Sequence, residues 1–217
     1  MNRAVTSIDW SPAQPEILLV SYSKSSEYNM DEPDGLIDIF SVSLQGRPEL
    51  TLNCQYEITK AMFNPHNPNI VIGSTMSGYL LEWDIRAKKE PISGAAERKN
   101  RSQPIQKSCL AANGHQYPVY CLSVIGYHNQ HSIVSISNDG KMCNWRPTVL
   151  VEPQSFSFLN AAKEAANQPT AAPEQPQIGS GDNRQPIYAH SLDFTEGEQE
   201  FFYVGSEDFN IYQCNQR

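Results

Sequence analysis

Several residues in this chain could do chemistry by type and spacing. His115 and Asp139 are an imidazole and a carboxylate, the pair that exchanges a proton in general acid–base catalysis. His128 and His131 offer two ring nitrogens, half of a tetrahedral metal set. Gly73 to Gly78, GSTMSG, has the glycine spacing of a phosphate loop. The cysteines are Cys54, Cys109, Cys121, Cys143 and Cys214. None of these grows into a reactive site. GSTMSG is followed by no lysine and leads into a strand-like run, where a phosphate loop needs a helix. No third ligand converges on His128 and His131, which sit in a polar turn. The cysteine count is odd and contains no CxxC pair, against both a disulfide framework and a zinc site. Cys121 and Cys143 fall in strand-like runs and read as small buried apolar groups. No nucleophile–base–orienter set is present, so the expectation is no catalytic residue, no cofactor and no bound metal.

The elements that carry these residues recur. Four segments share an apolar-x-x-apolar-x-apolar order: Val5/Ile8/Trp10, Ile58/Ala61/Phe63, Val119/Leu122/Val124 and Ala189/Leu192/Phe194. The last two positions of each, two apart, suit a strand with one buried face. A second motif follows each: EPDGLIDIF to Phe40, TMSGYLLEW to Trp83, SNDGKMCNW to Trp145 and SEDFNIYQC to Cys214. Asp34, Ser77, Asp139 and Asp208 stand six residues before these ends, followed by Gly35, Gly78, Gly140 and, as the exception, Phe209. Asp-Gly or Ser-Gly between two apolar runs is a tight hairpin turn, because glycine accepts positive φ. The runs ahead, ILLVSYS, NIVIGST, SIVSIS and FFYVGS, are short and β-branched or aromatic, as strands are. From first-motif aromatic or valine to second-motif end is 20 or 21 residues in three repeats; the first, at 30, carries the extended turn KSSEYNMDEP.

Successive second-motif ends lie 43, 62 and 69 residues apart. A period of about 40–45 residues is that of a WD-repeat propeller blade. The longer spacings carry insertions: a basic one over 87–107 and a Pro/Gln-rich one at 161–186, within a stretch from Pro147 that holds six of the 15 prolines. The second insertion is too poor in apolar residues to offset its ordering entropy and is expected to be a flexible loop, after SFSFLN supplies an outer strand. The fold class expected is all-β, about four blades of a WD-repeat β-propeller, spanning about 3–54, 56–92, 114–160 and 187–217. WD-repeat rings of about seven blades are the comparison, so the chain is expected to be an incomplete part of such a ring, either the front portion of a longer one or a truncated gene product. The third repeat resembles a WD repeat most fully: His115, Ser137, Asp139 and Trp145 are the types that form its buried structural relay, in which histidine bonds the turn aspartate and a hydroxyl and the indole N–H complete the chain. That setting takes His115 and Asp139 out of acid–base chemistry.

Sixteen Lys+Arg against 24 Asp+Glu leave a net charge of −8, which excludes a general nucleic-acid-binding surface. No stretch approaches the ~20 apolar residues of a membrane span, and the start MNRAVTSIDW lacks the apolar run of a signal peptide, so the chain is expected in the cytoplasm, without membrane insertion. Within Arg86–Lys107, seven basic residues face two acidic ones. Such a run is commonly only a solvated loop. The sharper expectation makes Lys88, Lys89, Arg98 and Lys99 a docking loop for an acidic partner.

Longer strings carry a more specific resemblance: RAVTSIDWSPAQPEILLVSYS, RPELTLNCQ, FNPHNPNIVIGSTMSGYLLEWDIR, HQYPVYCLSVIG, SNDGKMCNW and YVGSEDFNIY. Over nearly all the chain except the two insertions it resembles the dynein intermediate chain family, in its cytoplasmic form, with the axonemal form a close alternative. The resemblance implies a non-catalytic subunit whose propeller binds the dynein heavy chain, alongside other dynein subunits, on microtubules. The family's N-terminal region, which recruits light chains and the dynactin arm, lies outside the resemblance. Another WD-repeat adaptor, of a chromatin or ubiquitin-ligase type, would share the fold but not these strings.

Overall fold

Short β-branched and aromatic runs broken by Asp-Gly and Ser-Gly corners form, in the computed structural model, eighteen strands and no helix among the described residues. Those residues are 2–26, 32–44, 46–86, 101–110, 113–128, 130–162, 184–195 and 201–215. The first blade is β1 (Val5–Trp10), β2 (Ile17–Tyr22), β3 (Gly35–Ser41) and β4 (Leu50–Cys54), each antiparallel to the next. The second runs β5 (Ile58–Asn64), β6 (Asn67–Thr75) and β7 (Leu80–Asp84). Beyond them, β8 (Arg101–Ser102) adds in parallel to β4, and β9 (Gln106–Lys107) closes the outer edge of the second blade on β7. The third blade is β10 (Val119–Tyr127), β11 (Gln130–Ser137), β12 (Lys141–Trp145) and β13 (Ser155–Phe158). A ribbon of β14 (Asn160–Ala162) and β15 (Arg184–Pro186) leads to the fourth blade, β16 (Ala189–Phe194), β17 (Phe201–Ser206) and β18 (Ile211–Asn215). The innermost strands lie side by side in the order β1, β5, β10, β16, the arrangement of a β-propeller.

Apolar side chains on facing sheets fill the space between blades. Leu19, Ile37 and Leu52 of the first blade pack on Ala61, Phe63, Val71 and Trp83 of the second. Ile72 and Leu80 then meet Val119, Leu122, Ile133 and Trp145. Val134, Ile136 and Met142 meet Leu192, Phe202 and Val204. Each fully buried aliphatic or aromatic side chain contributes about 1.5–3 kcal/mol, so the blades are held chiefly by their neighbours. Polar bonds repeat in step. The N–H that ends each second strand donates to the lead-in of the first: Ser23 to Ala4 (2.9 Å), Met76 to Glu57 (2.9 Å), Asn138 to Pro118 (2.8 Å) and Glu207 to Tyr188 (3.1 Å).

The corners show why three of them need glycine. Gly78 and Gly140 have φ of +85° and +77°, and a Cβ there would stand 2.7 Å from the carbonyl oxygen of His115 and of Ile187 respectively, each in the lead-in to the next blade. At Gly35 the limit is space alone, with a Cβ only 2.1 Å from the Tyr56 carbonyl oxygen. Phe209 takes the same left-handed conformation, φ +67°, with its side chain wholly exposed.

Two expectations need correction. The buried face expected at Ile8 and Trp10 is open: these residues are 61% and 54% exposed. Their counterparts are covered by the preceding blade, and no described blade precedes the first. The second blade also extends beyond 56–92, because its outer strand β9 lies at the end of the 87–107 insertion. Two residues are too few for an alternating pattern to reveal. The central residues of the Pro/Gln-rich segment, 163–183, lie outside the described residues, while its ends pair as β14 and β15.

Candidate functional site

Ser135, on the central strand β11, joins the two large polar side chains buried in the third blade. The Trp145 indole N–H donates to Ser135 Oγ at 2.7 Å, and His115 Nε2 lies 2.6 Å from the same oxygen. His115, Ser135 and Trp145 are each fully buried. His115 Nδ1 lies 4.0 Å from Cys143 Sγ, and that thiol lies 3.8 Å from the Asn113 carbonyl oxygen. One assignment satisfies every donor: Trp145 N–H to Ser135, Ser135 O–H to His115 Nε2, His115 Nδ1–H to Cys143, and Cys143 S–H to the Asn113 carbonyl. Neutral imidazole is required, and burial lowers the His115 pKa to about 4 despite the opposing influence of Asp139.

Ser137 and Asp139 form a separate unit. The Ser137 hydroxyl donates to the Asp139 carboxylate, which also accepts the Lys141 N–H at 3.1 Å. The bond expected between His115 and Asp139 is therefore replaced by His115 to Ser135, and Ser137 staples the corner. Thr75 does the same in the second blade, accepting the Tyr79 N–H at 2.8 Å and donating to the Tyr79 carbonyl at 3.1 Å. Sequence reasoning missed Ser135. Its alternation partner Ser137 sits beside the aspartate and drew the assignment, yet Ser135 is the hydroxyl directly opposite Cys143 in the register.

Other candidate groups are accounted for by packing. His66 joins His131 and His128 at adjacent hairpin tips, with ring centroids 4.7 Å and 6.1 Å away, and Asn64 Nδ2 lies 3.3 Å from His131 Nε2. Among the described residues no group of three or more ligand-type side chains could hold a metal ion. Burial raises the Cys54 and Cys214 thiols to about 11 and those of Cys121 and Cys143 to about 12, so all four stay protonated at neutral pH. Lys88, Lys89, Arg98 and Lys99 lie outside the described residues. Nearby, Lys107 Nζ sits 3.8 Å and 4.3 Å from the ring centroids of Tyr79 and Tyr56.

An open surface remains on the end of the blades that carries the corners. Met76, Tyr117, Tyr188 and Phe209 are 41%, 55%, 45% and 100% exposed there. The hydrogen bonds from Met76 N–H to the Glu57 carbonyl and from Glu207 N–H to the Tyr188 carbonyl tie two of them to this end of their blades, at different positions of the repeat. Exposed aromatic and methionine side chains in series, rimmed by Glu57, Glu207 and Asp208, are the composition of a protein-binding face.

The family model for the WD40 domain of dynein axonemal intermediate chain 3 matches residues 1–136. Over 215 residues, 99% of its length, the chain is 32% identical to the cytoplasmic dynein 1 intermediate chain of Drosophila melanogaster. It spans 28% of the length of that relative.

Proposed function

Since this chain belongs to the dynein intermediate chain family, as blades of its WD40 propeller, we propose that it is a non-catalytic scaffold that binds the dynein heavy chain in microtubule-based transport in the cytoplasm. The observation that carries this reading is the rim of Met76, Tyr117, Tyr188 and Phe209, open apolar side chains on a rigid frame of sheets. A helical segment of the heavy chain laid across that rim would cover them without any change in the blades. Lys88, Lys89, Arg98 and Lys99 form a second proposed contact, for an acidic stretch of the same partner. His115, Ser135, Ser137, Asp139 and Trp145 have a structural role, holding the third blade beneath the rim.

The axonemal reading has its own support, since the matching family model is of an axonemal intermediate chain. Affinity capture of the tagged chain from cells, with the bound proteins identified by mass spectrometry, tests the proposal. Dynein heavy chain should be recovered, and its class, cytoplasmic or axonemal, decides between the two motors. Replacing Tyr117, Tyr188 and Phe209 together by alanine should reduce recovery about tenfold or more. Charge reversal of Lys88, Lys89, Arg98 and Lys99 should weaken binding and flatten its salt dependence. Recovery of a histone or ubiquitin-ligase complex with no heavy chain would replace this reading by that of another WD-repeat adaptor.

A further inference from the structure

The histidines at the hairpin tips of the second and third blades form a titratable cluster that neither the relay nor the rim uses. They stand on the face opposite the corners, where β5 turns into β6 through Pro65-His66 and β10 turns into β11 after Tyr127. Both blades have a described neighbour on either side. Asn64, only 3% exposed, joins the two tips. Its Oδ1 accepts the His66 N–H at 2.9 Å and the Asn67 N–H at 3.3 Å. Main-chain N–H groups only donate, so the amide oxygen is fixed on its own hairpin and Nδ2 is turned to the third blade. There it lies 3.3 Å from His131 Nε2. An amide NH2 also only donates, so Nε2 must offer its lone pair and the His131 ring must be neutral, with its proton on Nδ1.

A proton on Nε2 would set two donors head to head. The amide cannot turn over to meet it, because Nδ2 would then point at two main-chain N–H groups. The surroundings act in the same direction. The His66 ring stands 4.7 Å from that of His131 and 6.1 Å from that of His128, centroid to centroid. None of the three makes an ion pair with a carboxylate among the described residues. The charged groups on the strands around the tips are Asp9 on β1, Asp84 and Arg86 at the end of β7, Arg146 after β12 and Asp193 on β16. Asp9 is held by the Phe63 N–H and Asp84 by Arg86, and none of the five enters the field at His131. Burial first, then His66 and less strongly His128, hold its pKa below the ordinary 6.5, against a hydrogen bond with the His128 main chain. Behind the tips, Met62, Ile70 and Val124 pack on the core shared by the second and third blades.

We propose that Asn64 and His131 form a proton-operated clasp, closed at neutral pH and opened by mild acid, that holds the second and third blades together on the face opposite the corners. The clasped state excludes a proton that the open tips accept, so the clasp is complete above pH 6.5 and is lost as the pH falls below it. Once charged, His131 repels the protons taken by His66 and His128, and the tips separate. The apolar core behind them stays packed, so the response is a local opening of the joint and the blades themselves remain folded. His131 takes its proton through that opening, which confines the effect to the two tips.

Histidine titration by NMR on the 217-residue chain, together with amide exchange at about pH 7.5 and about pH 5.5 corrected for its intrinsic pH dependence, tests the clasp. His131 should titrate below 6.5, and amides at the starts of β6 and β11 should lose protection about tenfold or more on acidification, with β1 to β4 unchanged. Asn64→Asp keeps one oxygen for the two main-chain N–H groups and offers the other to His131. It should raise the titration above 6.5 and reverse the exchange response, the tips being better protected in acid. His131→Gln, whose side-chain oxygen accepts from Asn64 Nδ2 at either pH, is the second variant and should leave the tip amides equally protected under both conditions. A His131 that titrates at or above 6.5 in the unaltered chain, a titration indifferent to Asn64→Asp, or acid opening that persists in His131→Gln would each overturn the proposal. No dynein subunit enters the measurement, so its failure leaves the heavy-chain reading standing.

Discussion

Two buried titratable side chains give this protein opposing responses to pH. His115 is neutral when folded, with a pKa lowered to about 4, and an unfolded chain would bind a proton there near pH 6.5. Between those values the unfolded state holds the extra proton, so the contribution of His115, about 3 kcal/mol at its upper limit, is complete above pH 6.5 and lost as the pH falls toward 4. Glu82, only 6% exposed on β7, has its pKa raised from 4.5 to about 7, by burial first and by Asp84 second. Here the folded state holds the extra proton, so stability is complete below pH 4.5 and falls as the pH rises through 7, by a similar amount. The two slopes oppose each other where the windows overlap. Urea unfolding of Glu82→Gln should therefore show a gain at pH 8, none at pH 4, and a stability that climbs steeply from pH 4 to 6.5. His115→Asn should leave only the falling limb set by Glu82. The relay residues His115 and Trp145 were legible in the sequence because they flank a Gly-His and an Asp-Gly at WD-repeat spacing. Ser135 was not, since a serine in a strand of alternating serines carries no mark of which hydroxyl meets the indole.

At the scale of the element, the hairpin corners were the most legible feature, because the backbone there dictates the residue. Positive φ at Gly78 and Gly140, together with a carbonyl where a Cβ would stand, leaves no other choice of side chain. The short outer strand β9 left no trace in the pattern, and the exposure of Ile8 and Trp10 depends on a neighbour that a local pattern does not describe. Phe209 tests the same physics in reverse. It holds φ +67° with a wholly exposed side chain, so the strain has no packing to offset it within the chain. Left-handed backbone costs a bulky residue about 1–2 kcal/mol, part of which glycine returns through greater freedom in the unfolded chain. Phe209→Gly is expected to raise the unfolding free energy by about 0.5–1 kcal/mol, measured by urea denaturation.

The molecule as a whole is a row of sheets in which each blade is buried only by its neighbours. Core clusters lie between the first and second, second and third, and third and fourth blades, and the fourth rests on the third alone among the described residues. Stability in such an array is a sum of blade and joint contributions, so a weakened joint should act locally. Gly140 is the place to weaken one. It has φ +77°, and an added Cβ would meet the Ile187 carbonyl oxygen at 2.7 Å, just where the chain enters the fourth blade from β15. Neither the backbone nor that carbonyl can move without disturbing the bonds from Leu159 N–H to the Gly140 carbonyl (2.8 Å) and from Ile187 N–H to the Leu159 carbonyl (3.1 Å). Gly140→Ala should cost about 2 kcal/mol or more, from positive φ and from the close approach together. Amide hydrogen exchange should then quicken in β16, β17 and β18, with β1 to β4 unchanged. Equal acceleration in all four blades would mean that the row opens as one cooperative unit, and that the joints, in spite of their separate cores, do not set the boundaries of local unfolding.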